Sequence, residues 1–286
     1  MPTQRGIDVS EYQGLIDWQK VRNSGIEFAM IRCGYGRFIS QKDSSFDRNY
    51  NAAKEAGINV GAYLFSYALN ADNAKQEAEN CLEIIKGKQF EYPIAYDIEA
   101  PGQRNLSRDT IEDIAESFCG ELERNGYYVS IYSNLYFLNN KLTEKIRTRY
   151  DIWLAQWAPS PTYKGSFGMW QYSSTGNVNG IVGAVDLDLS YKDYPAIMRS
   201  NSLNGFSGDA SPVPVLYNGK QLLLTGTPIY SSSASARISA RVSGTYYVYS
   251  DSVINGRIRI TNRKSFVGRR PAGLFVSGWI SIIDAV

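Results

Sequence analysis

Short apolar or aromatic runs alternate with helical repeats over the first two thirds of the chain. The strand-like runs cover residues 5–10, 26–33, 59–67, 92–100, 127–134, 152–157, 169–173 and 185–191. Such alternation is typical of parallel strands that are joined by crossover helices. It predicts eight strands in a single sheet.

The helical repeat is clearest over residues 107–126. Its apolar side chains recur every three or four positions, at Ile111, Ile114, Ala115, Phe118, Cys119 and Leu122. Ser107 stands where a helix N-cap is expected, and Gly126 stands where the helix should end. The other predicted helices cover residues 17–24, 45–56, 71–86 and 139–149.

The five predicted helices follow the first five strands. The segments after Trp157 and Ser173 are rich in Gly, Ser, Pro and Asn and are too short for crossover helices. The predicted fold class is therefore α/β, a TIM-like barrel with eight strands and five helices. In such barrels the functional residues lie at the C-terminal ends of the strands.

The pattern changes near residue 200, after which the sequence shows no helical repeat. Strand-like runs then cover residues 222–224, 229–230, 245–249, 257–261 and 279–283. They predict a small all-β domain, most simply a barrel. The stretch before them is rich in Ser, Asn, Gly and Pro, as linkers are. We place the first barrel at residues 1–195, a linker at 196–213 and the β domain at 214–286.

Charge follows the same division. The whole chain carries 30 basic and 28 acidic residues, a net charge of +2, which gives no reason to expect nucleic acid as a partner. Residues 200–286 hold nine basic and three acidic residues, whereas residues 1–199 hold 21 and 25. The β domain is therefore cationic, and the first domain is weakly anionic.

The chain of 286 residues contains no histidine. This excludes Ser-His-Asp hydrolases, Cys-His peptidases and zinc amidases with histidine ligands. Acid–base catalysis must therefore use carboxylates, Lys, Tyr or Cys. We expect no cofactor and no metal.

Two further sequence features indicate the cellular compartment in which the protein is made. Cys33, Cys81 and Cys119 are far apart among apolar neighbours, which indicates buried thiols in a reducing cytoplasm rather than a disulfide framework. The N-terminus lacks the charged and apolar regions of a signal peptide, and no apolar run approaches the roughly 18 residues of a membrane span. We expect synthesis in the cytoplasm without a signal peptide, and no membrane insertion.

Acidic residues gather at three predicted strand ends. Strand alternation places Asp97 and Glu99 on one face, with backbone positions about 7 Å apart at ~3.3 Å per residue. Asp8 lies near the end of the first strand, and Asp186 shares a face with Asp188 in the last. A single aspartate at a strand end is more often a turn or helix cap. Together, in a chain without histidine, these residues predict an acidic cleft with carboxyls of separated pKa values.

Paired carboxylates in a cleft suit glycoside hydrolysis, in which one acid protonates the leaving oxygen. Aromatic residues near the strand ends could stack on sugar rings, and we expect about half of them to serve only in packing. These aromatic residues are Tyr35, Tyr63, Tyr67, Tyr132, Trp153, Trp157 and Trp170.

A series of motifs runs in order along residues 5–191. They are Gly6-Ile-Asp-Val-Ser10, Gln13-Gly14, Ile16-Asp-Trp18, Ala29-Met-Ile-Arg-Cys-Gly-Tyr-Gly36, Gly57-Ile-Asn-Val-Gly-Ala-Tyr63, Tyr96-Asp-Ile-Glu99, Ile131-Tyr-Ser-Asn134, Trp153-Leu-Ala-Gln-Trp157, Trp170-Gln-Tyr172 and Val185-Asp-Leu-Asp188. Together they resemble glycoside hydrolase family 25, the muramidases or lysozymes of bacteriophage endolysins and bacterial autolysins.

The resemblance implies a barrel with five helices that cleaves the β-1,4 bond between N-acetylmuramic acid and N-acetylglucosamine. By motif position, Glu99 would be the general acid, and Asp97 would orient the substrate N-acetyl group or stabilise the charged centre. Asp8 and Asp186 would complete the catalytic group. The reaction course stays open between retaining, inverting and substrate-assisted.

Substrate contacts are expected from the aromatic residues and from one further aspartate. The expected residues are Tyr63, Tyr67, Tyr132, Trp153, Trp157, Trp170 and Asp188. The chain departs from the family pattern twice. Residues 63–67 lack the histidine that often follows the tyrosine, and Asp188 stands where asparagine is common.

The β domain loosely resembles bacterial SH3-like wall-binding domains, chiefly in Ser277-Gly-Trp-Ile-Ser281. A cationic surface with aromatic residues suits an anionic wall polysaccharide. The expected wall-binding residues are Tyr246, Tyr247, Tyr249, Arg269, Arg270 and Trp279. The alternatives are a basic structural appendage or a domain that associates with itself.

Three functional hypotheses remain. The first is an endolysin that joins a muramidase to a wall anchor, with peptidoglycan and wall polysaccharide as partners. The second is a bacterial autolysin with the same chemistry, and the third is an inactive, polysaccharide-binding barrel. Met198 lies at the start of the predicted linker, where an internal translation start or clipping could release the β domain. The simpler expectation is an apolar residue at a domain edge.

Overall fold

The chain folds into a closed eight-stranded barrel that is followed by a four-stranded sheet. The computed structural model describes residues 3–206, 218–235, 237–269 and 271–281. The barrel strands are β1 (Gln4–Val9), β2 (Phe28–Tyr35), β3 (Asn59–Phe65), β4 (Ile94–Asp97), β5 (Val129–Asn134), β6 (Asp151–Ala155), β7 (Met169–Gly176) and β8 (Val185–Ser190). The predicted eight-stranded barrel is confirmed.

Helices cover the outside of the barrel and one of its ends. They are α1 (Trp18–Asn23), α2 (Phe46–Glu55), α3 (Ala71–Ile85), α4 (Arg108–Arg124), α5 (Leu135–Asn140), α6 (Glu144–Arg149) and α7 (Tyr194–Ser200). The fifth crossover, predicted as one helix over residues 139–149, is instead the pair α5 and α6. The chain turns between them because Leu142 is fully buried and Thr143 caps the start of α6.

Strand direction differs from the sequence prediction at one place. Strands β1 to β7 are parallel to their neighbours, but β8 is antiparallel to both β7 and β1. Residues 177–184 form only a short connection, so the chain returns beside β7 without a crossover. As a result, β8 begins at the end of the barrel where the other strands finish.

The other end of the barrel is closed by aromatic side chains. Phe28 and Tyr92 stack with ring centroids 4.2 Å apart, and Tyr194 of α7 packs against Tyr92 at 5.2 Å. The Tyr194 hydroxyl donates to Asp151 at 2.7 Å, and Gly168 leaves the space that this contact needs. Among the described residues, the end of the barrel with the carboxyl termini of β1 to β7 is therefore the one that is open for a ligand.

Residues 194–206 belong to this closed end, although residues 196–213 were expected to form a linker. Met198 and Asn204 are fully buried there. The Asn204 side chain accepts from the Tyr128 amide and donates to the Tyr92 carbonyl, both at 2.7 Å. Asn204 adopts φ 55°, a left-handed conformation that asparagine tolerates better than most residues. The first part of the predicted linker thus closes this end of the barrel. Residues 194–206 are called the plug below.

The β domain contains four antiparallel strands. They are β9 (Gln221–Ile229), β10 (Ala240–Ile254), β11 (Arg257–Thr261) and β12 (Gly278–Ser281), in the spatial order β12-β11-β10-β9. A single bridge between Tyr230 and Trp279 joins the two outer strands. One face of the sheet forms its own apolar core, which includes Leu222, Leu224, Val248, Ile258, Ile260 and Ile280.

The three cysteines are free and buried. Among the residues that the structure describes, no helix has the length and apolar character needed to cross a membrane.

Candidate active site

The open end of the barrel contains a cleft of about 270 Å³. Four of its lining residues carry carboxyls: Asp8, Asp97, Glu99 and Asp186. They come from β1, from β4 and the residues just after it, and from β8. The expectation that distant aspartates converge on one cleft is met, and the reversed direction of β8 is what places Asp186 there.

The alternation of β4 separates its two faces as predicted. Tyr96 faces outward and stacks on Phe118 of α4 at 3.8 Å, so Asp97 and Glu99 face the cleft. Asp97 is buried, and its Oδ1 has no hydrogen-bond partner among the described groups. Burial and the nearby charge of Glu99 raise the pKa of Asp97 well above its ordinary value.

Glu99 has a different environment. Its Oε2 accepts a hydrogen bond from Asn134 Nδ2 at 3.1 Å, which orients the carboxyl toward the cleft. Burial raises the pKa of Glu99, and the bond from Asn134 partly opposes this. A carboxyl with a raised pKa keeps its proton to higher pH, which is what a general acid requires.

Gln171 connects Asp8 to the aromatic wall of the cleft. Its Nε2 donates to Asp8 Oδ2 at 2.7 Å, while its Oε1 accepts from the Tyr132 hydroxyl at 3.0 Å and from Trp157 Nε1 at 2.8 Å. The amide thus has a fixed orientation, and that orientation fixes one oxygen of Asp8.

Asp188 lies below the cleft surface, buried against Asp8. Trp153 Nε1 donates to Asp188 Oδ1 at 2.7 Å, and the other carboxyl oxygen has no donor group. The carboxyls of Asp8 and Asp188 interact closely, and because two buried carboxylates repel each other, their proximity favours one proton shared by the pair. Burial raises the pKa of Asp188 to about 8 and raises that of Asp8 well above its ordinary value. The pair titrates as a unit.

Asp186 lies directly opposite Asp8 in the β1–β8 ladder. Burial and the charge of Glu99 raise the pKa of Asp186 to about 6. At neutral pH, Asp186 is therefore mostly ionised, whereas the buried pair keeps a proton.

Arg32 is the one basic residue among those that line the cleft. Its Nε donates to Asp43 at 2.8 Å and its Nη2 donates to Glu11 at 2.9 Å. The guanidinium also lies over the Tyr12 ring at 4.9 Å. Its charge lowers the pKa of Asp97, which burial otherwise raises. Because Arg32 is already paired with two carboxylates, the cleft stays anionic.

The expected aromatic contacts divide into two groups. Tyr63, Tyr132, Trp153 and Trp157 line the cleft, and Trp157 is 65% exposed at its rim. In the inner part, Trp153 makes edge contacts with Tyr132 at 4.6 Å and with Tyr63 at 5.9 Å. The rim and the inner wall thus offer apolar surface beside the carboxyls.

Three expected contacts do not line the cleft: Tyr67, Trp170 and Asp188, the last of which is buried beneath it. Trp170 is buried on the outer side of β7, where its Nε1 donates to the Gln156 carbonyl at 2.8 Å, because the neighbouring Met169 and Gln171 take the inner face. Tyr67 is exposed and packs edge-on against Phe65 at 5.1 Å, outside the cleft lining.

Seven lining residues were not among the predicted site residues: Val9, Ser10, Tyr12, Gln13, Arg32, Phe65 and Gln171. Arg32 and Gln171 lie within the quoted motifs, but no pattern showed that their polar side chains face the cleft. Tyr12 is 80% exposed and follows β1 in a short 3-10 helix, Glu11–Gln13. Its only signal was its position just after a predicted strand end.

Within the described residues, no three His, Cys, Asp or Glu side chains are arranged to hold a metal ion. The cleft brings four carboxyls and several aromatic side chains together.

Comparison with known proteins agrees with this chemistry. The model of the family described as "Glycosyl hydrolases family 25" matches residues 7–181. The chain belongs to this family. Members of this family are described as glycosyl hydrolases.

Two curated family 25 relatives are lysozymes. The chain is 32% identical over 185 residues to the autolytic lysozyme of Clostridium acetobutylicum, covering 64% of this chain and 55% of that protein. It is 31% identical over 199 residues to lysozyme M1 of Streptomyces globisporus, covering 64% and 66%. The chain thus spans between about half and two thirds of these relatives.

A solved structure has a similar fold. The modular autolysin LytC of Streptococcus pneumoniae, in complex with a synthetic peptidoglycan ligand, matches with a TM-score of 0.60 and 27% identity. The match covers 66% of this chain and 47% of that one.

The β domain lies beyond the family 25 match, and its expected wall-binding residues do not form one cluster. Tyr246 packs against the core of the sheet, and Tyr249 is buried with its hydroxyl bonded to the Arg269 carbonyl. Tyr247 is half-buried, and Trp279 borders a separate cavity. Arg270 lies outside the described residues.

Proposed function

We propose that this protein is a muramidase that hydrolyses the β-1,4 bond between N-acetylmuramic acid and N-acetylglucosamine in Gram-positive peptidoglycan. The observation that carries the proposal is the placement of Asp97 and Glu99 beside Asp8 and Asp186 in one aromatic-walled cleft. The lysozyme relatives and the likeness to an autolysin with a bound peptidoglycan ligand support it.

Glu99 donates the proton to the glycosidic oxygen as the bond to the leaving sugar breaks. Burial raises its pKa and so favours the protonated form, and Asn134 holds the carboxyl in place. Loss of the leaving group creates positive charge at the anomeric carbon. The ionised Asp186 and the shared charge of the Asp8–Asp188 pair stabilise that centre electrostatically.

Asp97 has a different task. Its Oδ1 is buried and has no partner among the described groups, although it borders the cleft. An N-acetyl amide of the substrate would supply the missing contact, and Asp97 would orient that group. Trp157 and Tyr12 at the rim supply stacking surfaces for neighbouring sugar rings.

Analysis of the products tests this assignment. Purified Gram-positive walls are digested, reduced with borohydride and hydrolysed, and the modified sugar is identified. Cleavage by a muramidase leaves muramic acid at the new reducing end, where borohydride converts it to its alcohol. Reduced glucosamine, or new amino groups without a reduced sugar, would contradict the proposal.

The cationic β domain is proposed to anchor the enzyme to an anionic polysaccharide of the wall. Its SH3-like character belongs to this proposal and rests on the small antiparallel sheet and its closing strand. Self-association of the domain is the alternative, which native mass spectrometry of the full chain would detect.

The biological role proposed is that of a bacteriophage endolysin, which is made in the host cytoplasm and lyses the host after release. The autolytic relative favours a second role, a bacterial autolysin with the same chemistry. Expression in a Gram-positive host, with and without a separately induced membrane pore, distinguishes the two. An endolysin lyses the culture only when the pore opens, whereas an autolysin reaches the wall without it.

A further inference from the structure

The face of the β sheet opposite its apolar core carries a row of aromatic and cationic residues, of which Trp279 is largely buried and the others are half-buried. Arg259 of β11 pairs with Trp279 of β12, and Trp279 pairs with Tyr230 at the end of β9. Directly paired residues of neighbouring strands point to the same face. Arg257 lies two positions before Arg259 and therefore shares that face. Arg257, Arg259, Trp279 and Tyr230 are called the aromatic–arginine row below.

The opposite face of these strands accounts for the apolar core. Ile258, Ile260 and Ile280 alternate with the row residues and are fully buried. The row is therefore not needed to build the core of the sheet. It nevertheless brings large side chains together, since the Arg257 guanidinium lies 3.5 Å from the Tyr230 ring centroid and that of Arg259 lies 4.7 Å from the Trp279 ring.

A cavity of about 480 Å³ borders the row. Arg259, Trp279 and Tyr230 line it, together with three residues that carry hydroxyls, Ser231, Ser239 and Ser277. The cavity thus combines a cation, aromatic rings and small polar groups. This is the combination that sugar rings bearing negative groups require.

Charge balance favours an anionic occupant. Asp251 is the only acidic residue in the sequence from 218 to 281. Among the described side chains of this sheet, no ion pair joins an arginine to a carboxylate, and Arg257 instead donates to the carbonyls of Ser232, Ser233 and Ser235. In the part of the chain that the structure describes, no carboxylate pairs with the guanidinium of Arg257 or Arg259, so a phosphate or carboxylate of a ligand can neutralise them.

We propose that the aromatic–arginine row and its cavity bind an anionic glycopolymer through the guanidinium groups of Arg257 and Arg259. This rests on the proposed wall-anchoring function and names the site and ligand class for it. The negative group is a phosphodiester or a uronate carboxylate. The row differs from the residues expected from the sequence, with which it shares only Trp279.

Binding of the full-length chain to immobilised polymers tests the site. The probes are poly(glycerol phosphate), polygalacturonate and neutral dextran. Wild-type protein should bind one or both of the anionic polymers and not dextran, and the polymer preferred identifies the negative group. Equal binding to dextran, or binding to neither anionic polymer, would overturn the proposal.

Matched charge variants separate the row from general attraction. The double variant Arg257→Gln/Arg259→Gln should bind the preferred polymer at least tenfold more weakly. The control Arg237→Gln/Arg263→Gln removes the same charge from two exposed positions outside the row and should change binding less than threefold. Similar losses in both would mean that only diffuse charge matters. Tyr230→Ser removes an aromatic ring but no charge and should also weaken binding. It tests the same site if the double arginine variant does not fold.

Purified Gram-positive walls distinguish this site from the broader anchoring proposal. If the wild-type chain does not bind walls on ice, the anchoring function fails. If it binds walls and the Arg257→Gln/Arg259→Gln variant binds them equally well, anchoring stands and the row is not its site.

Discussion

At the scale of single residues, the partners of each carboxyl set its protonation. Asp186 lies at the cleft surface, so its pKa rises only to about 6, whereas Asp188 lies deeper and reaches about 8. Glu99 has one orienting amide, and Asp97 Oδ1 has no partner among the described groups. A proton donor and an ionised carboxylate can therefore coexist near neutral pH.

The shared proton of Asp8 and Asp188 predicts a specific dependence of stability on pH. In the unfolded chain both carboxyls titrate near 4. Because their pKa values are raised in the folded state, the stability they contribute is complete below about pH 4 and falls as pH rises toward about 8. If the folded state binds one proton more than the unfolded state, the free energy of unfolding falls by up to about 4 kcal/mol as pH rises by three units.

Asp188→Asn should reduce the loss of stability at rising pH. The amide can donate to Asp8 without titrating, and its oxygen can still accept from Trp153. Urea unfolding at pH 5, 6, 7 and 8 measures this loss, with the exposed Asp113→Asn as a control for removing a carboxyl. The wild-type and control free energies should fall more steeply with pH than that of Asp188→Asn. Parallel curves for all three would show that no proton is shared.

At the scale of elements, the last two segments of the barrel domain in the sequence, β8 and α7, shape its two ends. Strand β8 runs against its neighbours and brings Asp186 to the open end. Helix α7 and the residues up to 206 close the opposite end, where Asn204 bonds to the backbone beside β4 and β5. The catalytic domain therefore extends past residue 195.

Asn204→Ala should lower the free energy of unfolding by about 2–4 kcal/mol, because two buried backbone groups lose their partner and alanine disfavours a positive φ. Chemical denaturation measures the change. The exposed Ser200→Ala should stay within about 0.5 kcal/mol of wild type. The rate on soluble glycan should be unchanged, since Asn204 lies far from the open end. A loss below 1 kcal/mol would mean that the plug is dispensable.

Much of this architecture could be predicted from local sequence patterns. The faces of β4 followed from strict alternation, and helix α4 followed from its apolar repeat and Ser107 cap. The short segment after β7 was recognised as lacking a crossover helix, but its consequence, an antiparallel β8, was not drawn from the sequence. The plug was misread because its Ser, Asn and Gly residues, typical of a linker, are ordered here by long-range contacts of Asn204.

At the scale of the whole molecule, the two domains carry opposite charge. The cleft is anionic, whereas the β domain has nine basic residues between 218 and 281. Residues 212–286 alone should therefore bind Gram-positive walls, and binding should weaken with salt because the screening length falls from about 30 Å at 0.01 M to about 8 Å at 0.15 M. Co-sedimentation of a fluorescently tagged fragment measures this. If the fragment did not sediment with the walls at low salt, the proposed anchoring role would be wrong.

The position of Met198 bears on how such a fragment could arise. Met198 is fully buried in α7, not exposed in a linker. Clipping there would require local unfolding of the plug. A fragment that began at Met198 would also expose residues that normally pack beneath the barrel.

The proposed hydrolysis requires Glu99 to be the proton donor. Glu99→Gln keeps the size of the side chain but cannot protonate the leaving oxygen, so the initial rate of reducing-end release from purified walls should fall by about 10²–10⁴-fold. Unchanged thermal unfolding would show that the fold is intact. A rate close to wild type would contradict the assignment, and parallel assay of Asp186→Asn would then show whether the acid lies on β8.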